Sequence, residues 1–256
     1  MFYSGQNNLI TDVDNILVGN AEDKDIGTGT TILIPPIGST AAADVRGGAP
    51  GTREVGALNP YNLVDTIDAI VLSGGSAWGL EAASSAANFI GKSGRGFKTS
   101  ENIKNVPMVP AAILFDLSNG GNKDWGDTPP YNKLGIEAAS KASIKFKLGN
   151  IGAGYGAKAG SLKGGLGSAS FENAEGLKVG GLFAVNSFGS VVNSETGQFW
   201  AASDELNNEF GGMGAPQDLP KDILAGSSIG HALEKSNTTI GIVATNAKLD
   251  SKTAKR

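Results

Sequence analysis

Thirty-eight of the 256 residues are glycine, about twice the ordinary ~7%, and they recur without the three-residue period that a collagen helix demands. Glycine loses more backbone freedom on folding than any other residue, so a chain this rich in it must recover the loss where turns tighten or backbones touch. That requirement points to short strands, helices and tight turns in close contact. Hydrophobic residues make up 40% of the chain, enough for a substantial core, and no repeat or low-complexity linker divides it. Residues 1–256 are therefore read as a single domain of mixed strands and helices.

Charge and composition remove several classes of function. A net charge of -4, a pI near 5.1 and the lack of any Lys/Arg-rich run argue against a nucleic-acid partner. No stretch reaches the ~18 uninterrupted apolar residues of a membrane span. The start, MFYSGQNNLITDVDN, lacks a basic segment followed by an apolar block, so a cytoplasmic protein is expected. Cysteine is absent and histidine occurs once. Thiol nucleophiles, disulfides and Cys/His zinc sites are thereby excluded, and no metal or cofactor is expected. His231, in ILAGSSIGHALEKS, is read as a helical histidine rather than the base of a Ser-His-Asp triad.

Strands are expected at 16–19, 30–34, 69–72, 109–117 and 238–245, with another over 179–192 broken at 186–189. Helices are expected from about Leu80, over 131–143 and over 218–236, while 42–54 and 119–130 have loop chemistry. The joint GGSAWG at 74–79 runs from strand to helix. Backbone N–H groups approached through Gly74, Gly75 and Gly79 could receive a developing oxyanion there. The spacing is neither the dinucleotide fingerprint nor a phosphate loop. Glycine for close helix–strand packing is the simpler reading.

Without a usable histidine or cysteine, a hydrolase needs another base. A residue whose own α-amino group is free supplies one, because that amine has a pKa of about 7.7–8.0 and sits beside its own hydroxyl. Thr238 suits this role: it follows a short polar link, Lys235-Ser236-Asn237, and opens a β-branched strand, TTIGIVAT. Cutting the Asn237–Thr238 bond would free its amine, and asparagine tolerates the unusual backbone angles of a strained bond. NTT also matches a glycosylation sequon, which carries little meaning without a secretory signal.

Six segments then resemble one family together: DVRGGAPGTRE (44–54), AIVLSGGSAWGLEAA (69–83), VPAAILFDL (109–117), GNIGAGYGAK…KGGLGSAS (149–170), AVNSFG (184–189) and NTTIGIVATNAKL (237–249). The family is that of the self-processing DmpA-like aminopeptidases and 6-aminohexanoate-oligomer hydrolases, or nylonases. The resemblance implies an α+β fold, a four-layer αββα sandwich like that of the ornithine acetyltransferases and the N-terminal-nucleophile (Ntn) hydrolases. It implies a precursor cut into a large subunit, 1–237, and a small one from 238, assembled as homo-oligomers of cleaved heterodimers such as tetramers. Carried over by residue, Thr238 is the nucleophile, Asn186 holds the oxyanion and Lys163 is the active-site lysine, with Lys158 as its rival. Gly74, Gly75, Ser76 and Trp78 line the substrate cleft together with Phe115, which stands where nylonases carry tyrosine. The Asn-Thr junction is closer to nylonases than to DmpA-like enzymes, whose junction is Gly-Ser.

The implied activity is amide hydrolysis through a threonyl ester, on oligoamides or on small β- or D-amino-acid peptides and amides. An acyltransferase of related fold and an inactive fragment acting only in assembly are the alternatives. Asp250 or Ser251 signals a helix start, yet the chain stops at Arg256, short of the Asp-Gly-Asp segment of the family's small subunit. The sequence is accordingly read as C-terminally truncated or as a degenerate member.

Overall fold

The computed structural model describes residues 2–221 and 237–256. His231 and most of the helix expected over 218–236 lie outside the described residues, and 218–221 are non-helical. Strands are numbered in chain order. A four-stranded antiparallel sheet takes β1 (Phe2–Ser4), β11 (Gly165–Asn173), β12 (Lys178–Asn186) and β13 (Thr238–Thr245) in the order β1-β11-β12-β13. A five-stranded sheet has the order β2-β3-β7-β8-β5, from β2 (Leu17–Asp23), β3 (Thr28–Ile34), β5 (Thr52–Arg53), β7 (Ile70–Ser73) and β8 (Ala111–Ile113). Its β7–β8 pair is parallel and the rest antiparallel. Two small ribbons complete the set: β4 (Ser39–Thr40) with β6 (Thr66–Ile67), and β9 (Lys158–Ala159) with β10 (Leu162–Lys163).

The side-chain pattern of each strand follows from what covers it. β3 and β7 are apolar or small nearly throughout because both of their faces are buried. Ile32 and Val71 point to the helices α1 (Glu81–Gly91) and α2 (Tyr131–Ser140), while Leu33 and Leu72 point to the other sheet. β12 and β13 alternate instead, with Leu182, Ala184 and Ile242 packed between the sheets. Phe171, Val179, Phe183 and Val243 lie exposed on the opposite face of that sheet. The result is an α+β sandwich in which a helix pair, one sheet and then the other follow in layers.

Glycine works here mainly by letting backbones touch. A Cβ on Gly135 would collide with the Ala82 carbonyl, and one on Gly19 with the Ala138 carbonyl, so both glycines allow α2 to lie directly on α1 and β2. Leu182 is fully buried between the sheets. Leu182→Ala is expected to cost about 2–5 kcal/mol, read as a lower urea midpoint with an unchanged slope.

Most expected elements occur. Several differ in extent: β2 and β3 run longer than the expected 16–19 and 30–34, and α2 stops at Ser140 rather than at 143. The 109–117 strand is cut to Ala111–Ile113 because the chain leaves the sheet at Leu114 to bury Asp116, and the 179–192 strand begins one residue early and ends at Asn186. At the far end, α3 (Ser251–Lys255) is capped by Asp250, whose Oδ1 accepts from the Thr253 amide at 2.7 Å. No helix among the described residues is long and apolar enough to cross a membrane.

Candidate active site

Four strand ends meet at one edge of the sandwich. β7 and β8 run parallel and stop together at Ser73 and Ile113, so the turns that follow, Gly74–Ser76 and Leu114–Asn119, emerge side by side. In the facing sheet β12 ends at Asn186 and β13 begins at Thr238, and the antiparallel register sets these two residues directly opposite each other. Residues paired this way have Cα atoms about 4.5–5.5 Å apart and point to the same face. Here that is the inner face, since Asn186 shares the alternation of Leu182 and Ala184, and Thr238 that of Ile240 and Ile242.

The Asn186 side chain is buried and held in one orientation. Its Oδ1 accepts from the Lys158 amide at 2.9 Å and from Asn119 Nδ2 at 3.1 Å, while its Nδ2 donates to the Phe115 carbonyl at 2.9 Å. Two donors at one end and a carbonyl at the other leave no ambiguity about which end is oxygen. No second acceptor for Nδ2 is found among the described residues. Asn237 is exposed, and its Oδ1 accepts from the Phe188 amide at 3.0 Å, which ties the junction to the loop leaving β12. Thr238 is half-buried and lines a cleft of about 970 Å³ between the sheets, whose other wall includes the 44–51 loop with Asp44 and Arg46.

The two candidate lysines are cross-strand partners, Lys163 opposite Lys158 in the β9–β10 ribbon, and both are exposed. The ribbon sits over the end of β12: besides the Lys158 amide bond to Asn186, the Gly160 amide donates to the Ser187 carbonyl at 3.0 Å. The geometry brings both lysines to the rim beside Asn186 and does not separate them.

The glycine turn departs from the oxyanion-hole reading. The Gly74 amide donates to the Gly29 carbonyl at 2.9 Å, that of Gly75 to Asp116 Oδ1 at 2.7 Å and that of Ser76 to the Leu114 carbonyl at 3.0 Å. With these donors spent inside the protein, the turn cannot offer them to an oxyanion. Gly79 serves packing, since a Cβ there would strike the Gly74 carbonyl. Gly75 and Ser76 both adopt positive φ, +86° and +52°, which turns the chain sharply into the helix. Beyond them, half-buried Ser76 and exposed Trp78 face outward, and Trp78 is steadied by an edge contact of 6.2 Å with Trp125, itself edge-on to Tyr131 at 6.0 Å. Phe115 contributes its carbonyl to Asn186 and a half-buried ring.

Sequence reasoning missed Asp116 and Asn119. An acid inside the otherwise apolar VPAAILFDL was the available signal for the first. The fully buried Asp116 carboxylate accepts from Thr28 Oγ1 at 2.7 Å as well as from Gly75. Burial pushes its carboxyl above the ordinary 3.8, against the opposing pull of the Thr28 and Gly75 hydrogen bonds and the Lys123 charge. The native state thus holds this proton more tightly than the unfolded chain. The linked stability is fully present below 3.8 and is lost as pH rises through the raised native value. Asp116→Asn is expected to remove that falling step from a series of thermal melts taken across the interval.

A profile of peptidase family S58 matches residues 8–256. An uncharacterised aminopeptidase of Mycobacterium tuberculosis is 39% identical over 97% of this chain and 73% of its own length. A 6-aminohexanoate-oligomer endohydrolase of Kocuria sp. is 30% identical over 62% of this chain and 41% of its own. The solved L-aminopeptidase D-Ala-esterase/amidase of Ochrobactrum anthropi, described as a new variant among the Ntn hydrolase fold, superposes with a TM-score of 0.62 at 17% identity, covering 99% of this chain and 67% of that one. The expected sandwich is met by that likeness.

Proposed function

The chain belongs to peptidase family S58 and is an amide-bond hydrolase, and on that premise we propose that it works through Thr238 after cutting its own Asn237–Thr238 bond. In the first event Thr238 Oγ attacks the Asn237 carbonyl, the C–N bond breaks, the nitrogen takes up a proton and becomes the α-amine of Thr238, and water then hydrolyses the resulting ester. In each turnover that amine accepts the hydroxyl proton as Oγ attacks the substrate carbonyl. Asn186 Nδ2 donates to the oxyanion, the amine returns the proton to the leaving nitrogen, and water releases the acid. Lys163 or Lys158, at the rim, adds positive charge beside the same centre. Gly74 and Gly75 shape the turn that presents Ser76 and Trp78 to the substrate, with Phe115 alongside.

The observation that carries this reading is the register of β12 and β13, which sets Asn186 across from Thr238 on the inner face of the sheet. Small peptides and amides or linear oligoamides are the substrate classes, acted on in the cytoplasm by an oligomer of cleaved heterodimers. The test is product analysis with a peptide amide and a 6-aminohexanoate oligomer, with and without an added amine acceptor. Free acid as the main product in both conditions supports hydrolysis; acyl transfer to the amine outpacing hydrolysis would establish the acyltransferase instead.

A further inference from the structure

Asn186 is only as well placed as the loop that grips it. Two of its three contacts come from the 115–119 loop: the Phe115 carbonyl takes its Nδ2, and Asn119 Nδ2 gives to its Oδ1. This loop is short and leaves the sheet at once, so something must hold it. Its anchor is the Asp116 carboxylate, buried between β3 and the glycine turn through Thr28 Oγ1 and the Gly75 amide, with the Asn119 amide closing back on the Asp116 carbonyl at 3.0 Å. The space for the carboxylate is cleared by glycine on two sides, because a Cβ on Gly74 or on Gly156 would overlap its Oδ2. Three separated glycine-rich or apolar segments thus converge on one acid.

We propose that Asp116 is a positioning residue for the reaction: its buried carboxylate fixes the 115–119 loop and, through Phe115 and Asn119, the direction in which the second Asn186 amide hydrogen points. The proposal rests on the reading of Asn186 as the oxyanion donor. The ionisable groups around the carboxylate are Lys123, whose Nζ donates to the Ile26 and Gly27 carbonyls, Asp23 on β2, and Tyr131 on α2, whose hydroxyl lies 3.3 Å from Thr28 Oγ1. A charge kept in a fully buried place is costly unless it secures something else. What it secures here is two turns, one carrying Ser76 and Trp78 and the other gripping Asn186.

The experiment is a double-mutant cycle on the processed protein, with Asp116→Asn, Asn186→Ala and the double variant compared by kcat and KM for one amide substrate. Asp116→Asn alone is expected to lower kcat about ten- to a hundredfold with KM little changed, the size of effect that small misplacement of a reacting group produces. In the Asn186→Ala background it is expected to have almost no further effect on kcat, because its contribution to the chemical step runs through Asn186. An equal loss in both backgrounds, or no loss in the first, would overturn the proposal. If Asn186→Ala itself leaves kcat intact, the reading of Asn186 fails instead, a distinct result. Asn119→Ala, which leaves the buried carboxylate untouched, should show the same dependence on Asn186. Should Asp116→Asn not fold, additivity of Asn119→Ala with Asn186→Ala overturns the proposal.

Discussion

Thr238→Ala is expected to yield an uncut chain with hydrolytic activity reduced by roughly 10⁴-fold or more, since under the proposed mechanism it removes the attacking oxygen from both the self-cleavage and the turnover. Denaturing electrophoresis reads the first loss and an amide assay the second. Thr238→Ser keeps an Oγ and is expected to retain both. The size of the alanine effect follows from chemistry rather than folding. Thr238 is only half-buried at the start of β13, where its backbone pairing with Asn186 survives loss of the side chain. A folded Thr238→Ala protein that still turned over substrate would remove the nucleophile from the account.

Asn186→Ala is expected to lower kcat by about 10²–10³, or ~2.7–4 kcal/mol of transition-state stabilisation, with a smaller change in KM. A second, structural cost accompanies it. The Lys158 amide and Asn119 Nδ2 lose their shared acceptor and the Phe115 carbonyl loses its donor, so a stability loss of about 1–3 kcal/mol is expected in urea unfolding. Steady-state kinetics under conditions where both proteins are fully folded, well below the urea transition, separate the two effects. A kcat equal to that of the unmodified protein would show that the oxyanion is held elsewhere.

The proposed reaction centre was legible in the sequence to an uneven degree. The strand opening at Thr238 was visible because TTIGIVAT is a β-branched run directly after a polar link, and the structure begins and ends β13 on those same residues. The break after Asn186 was visible in the glycine and serine that follow it. The pairing of the two residues was not, because register between strands more than fifty positions apart depends on the whole sheet. Lys158 and Lys163 could not be ranked for a related reason: a tight ribbon brings both to the same rim. The glycine turn shows the opposite failure. GGSAWG has the composition of a donor-rich turn, yet which acceptors its amides meet is decided by Asp116, Gly29 and Leu114, all distant in sequence. Asp116 was the one acid in a segment read as a plain strand, a visible oddity whose buried partners, Thr28 and the Gly75 amide, lie far from it in sequence.

These readings converge on a single covalent event at one oxygen atom. The direct test is intact-mass analysis and N-terminal sequencing of the purified protein after brief mixing with a slow activated ester or amide. The account predicts a large fragment ending at Asn237, a small one beginning at Thr238, and the acyl mass on the small fragment, lost on hydrolysis. An acyl adduct on the large fragment, or an uncut chain that turns over at full rate, would contradict it.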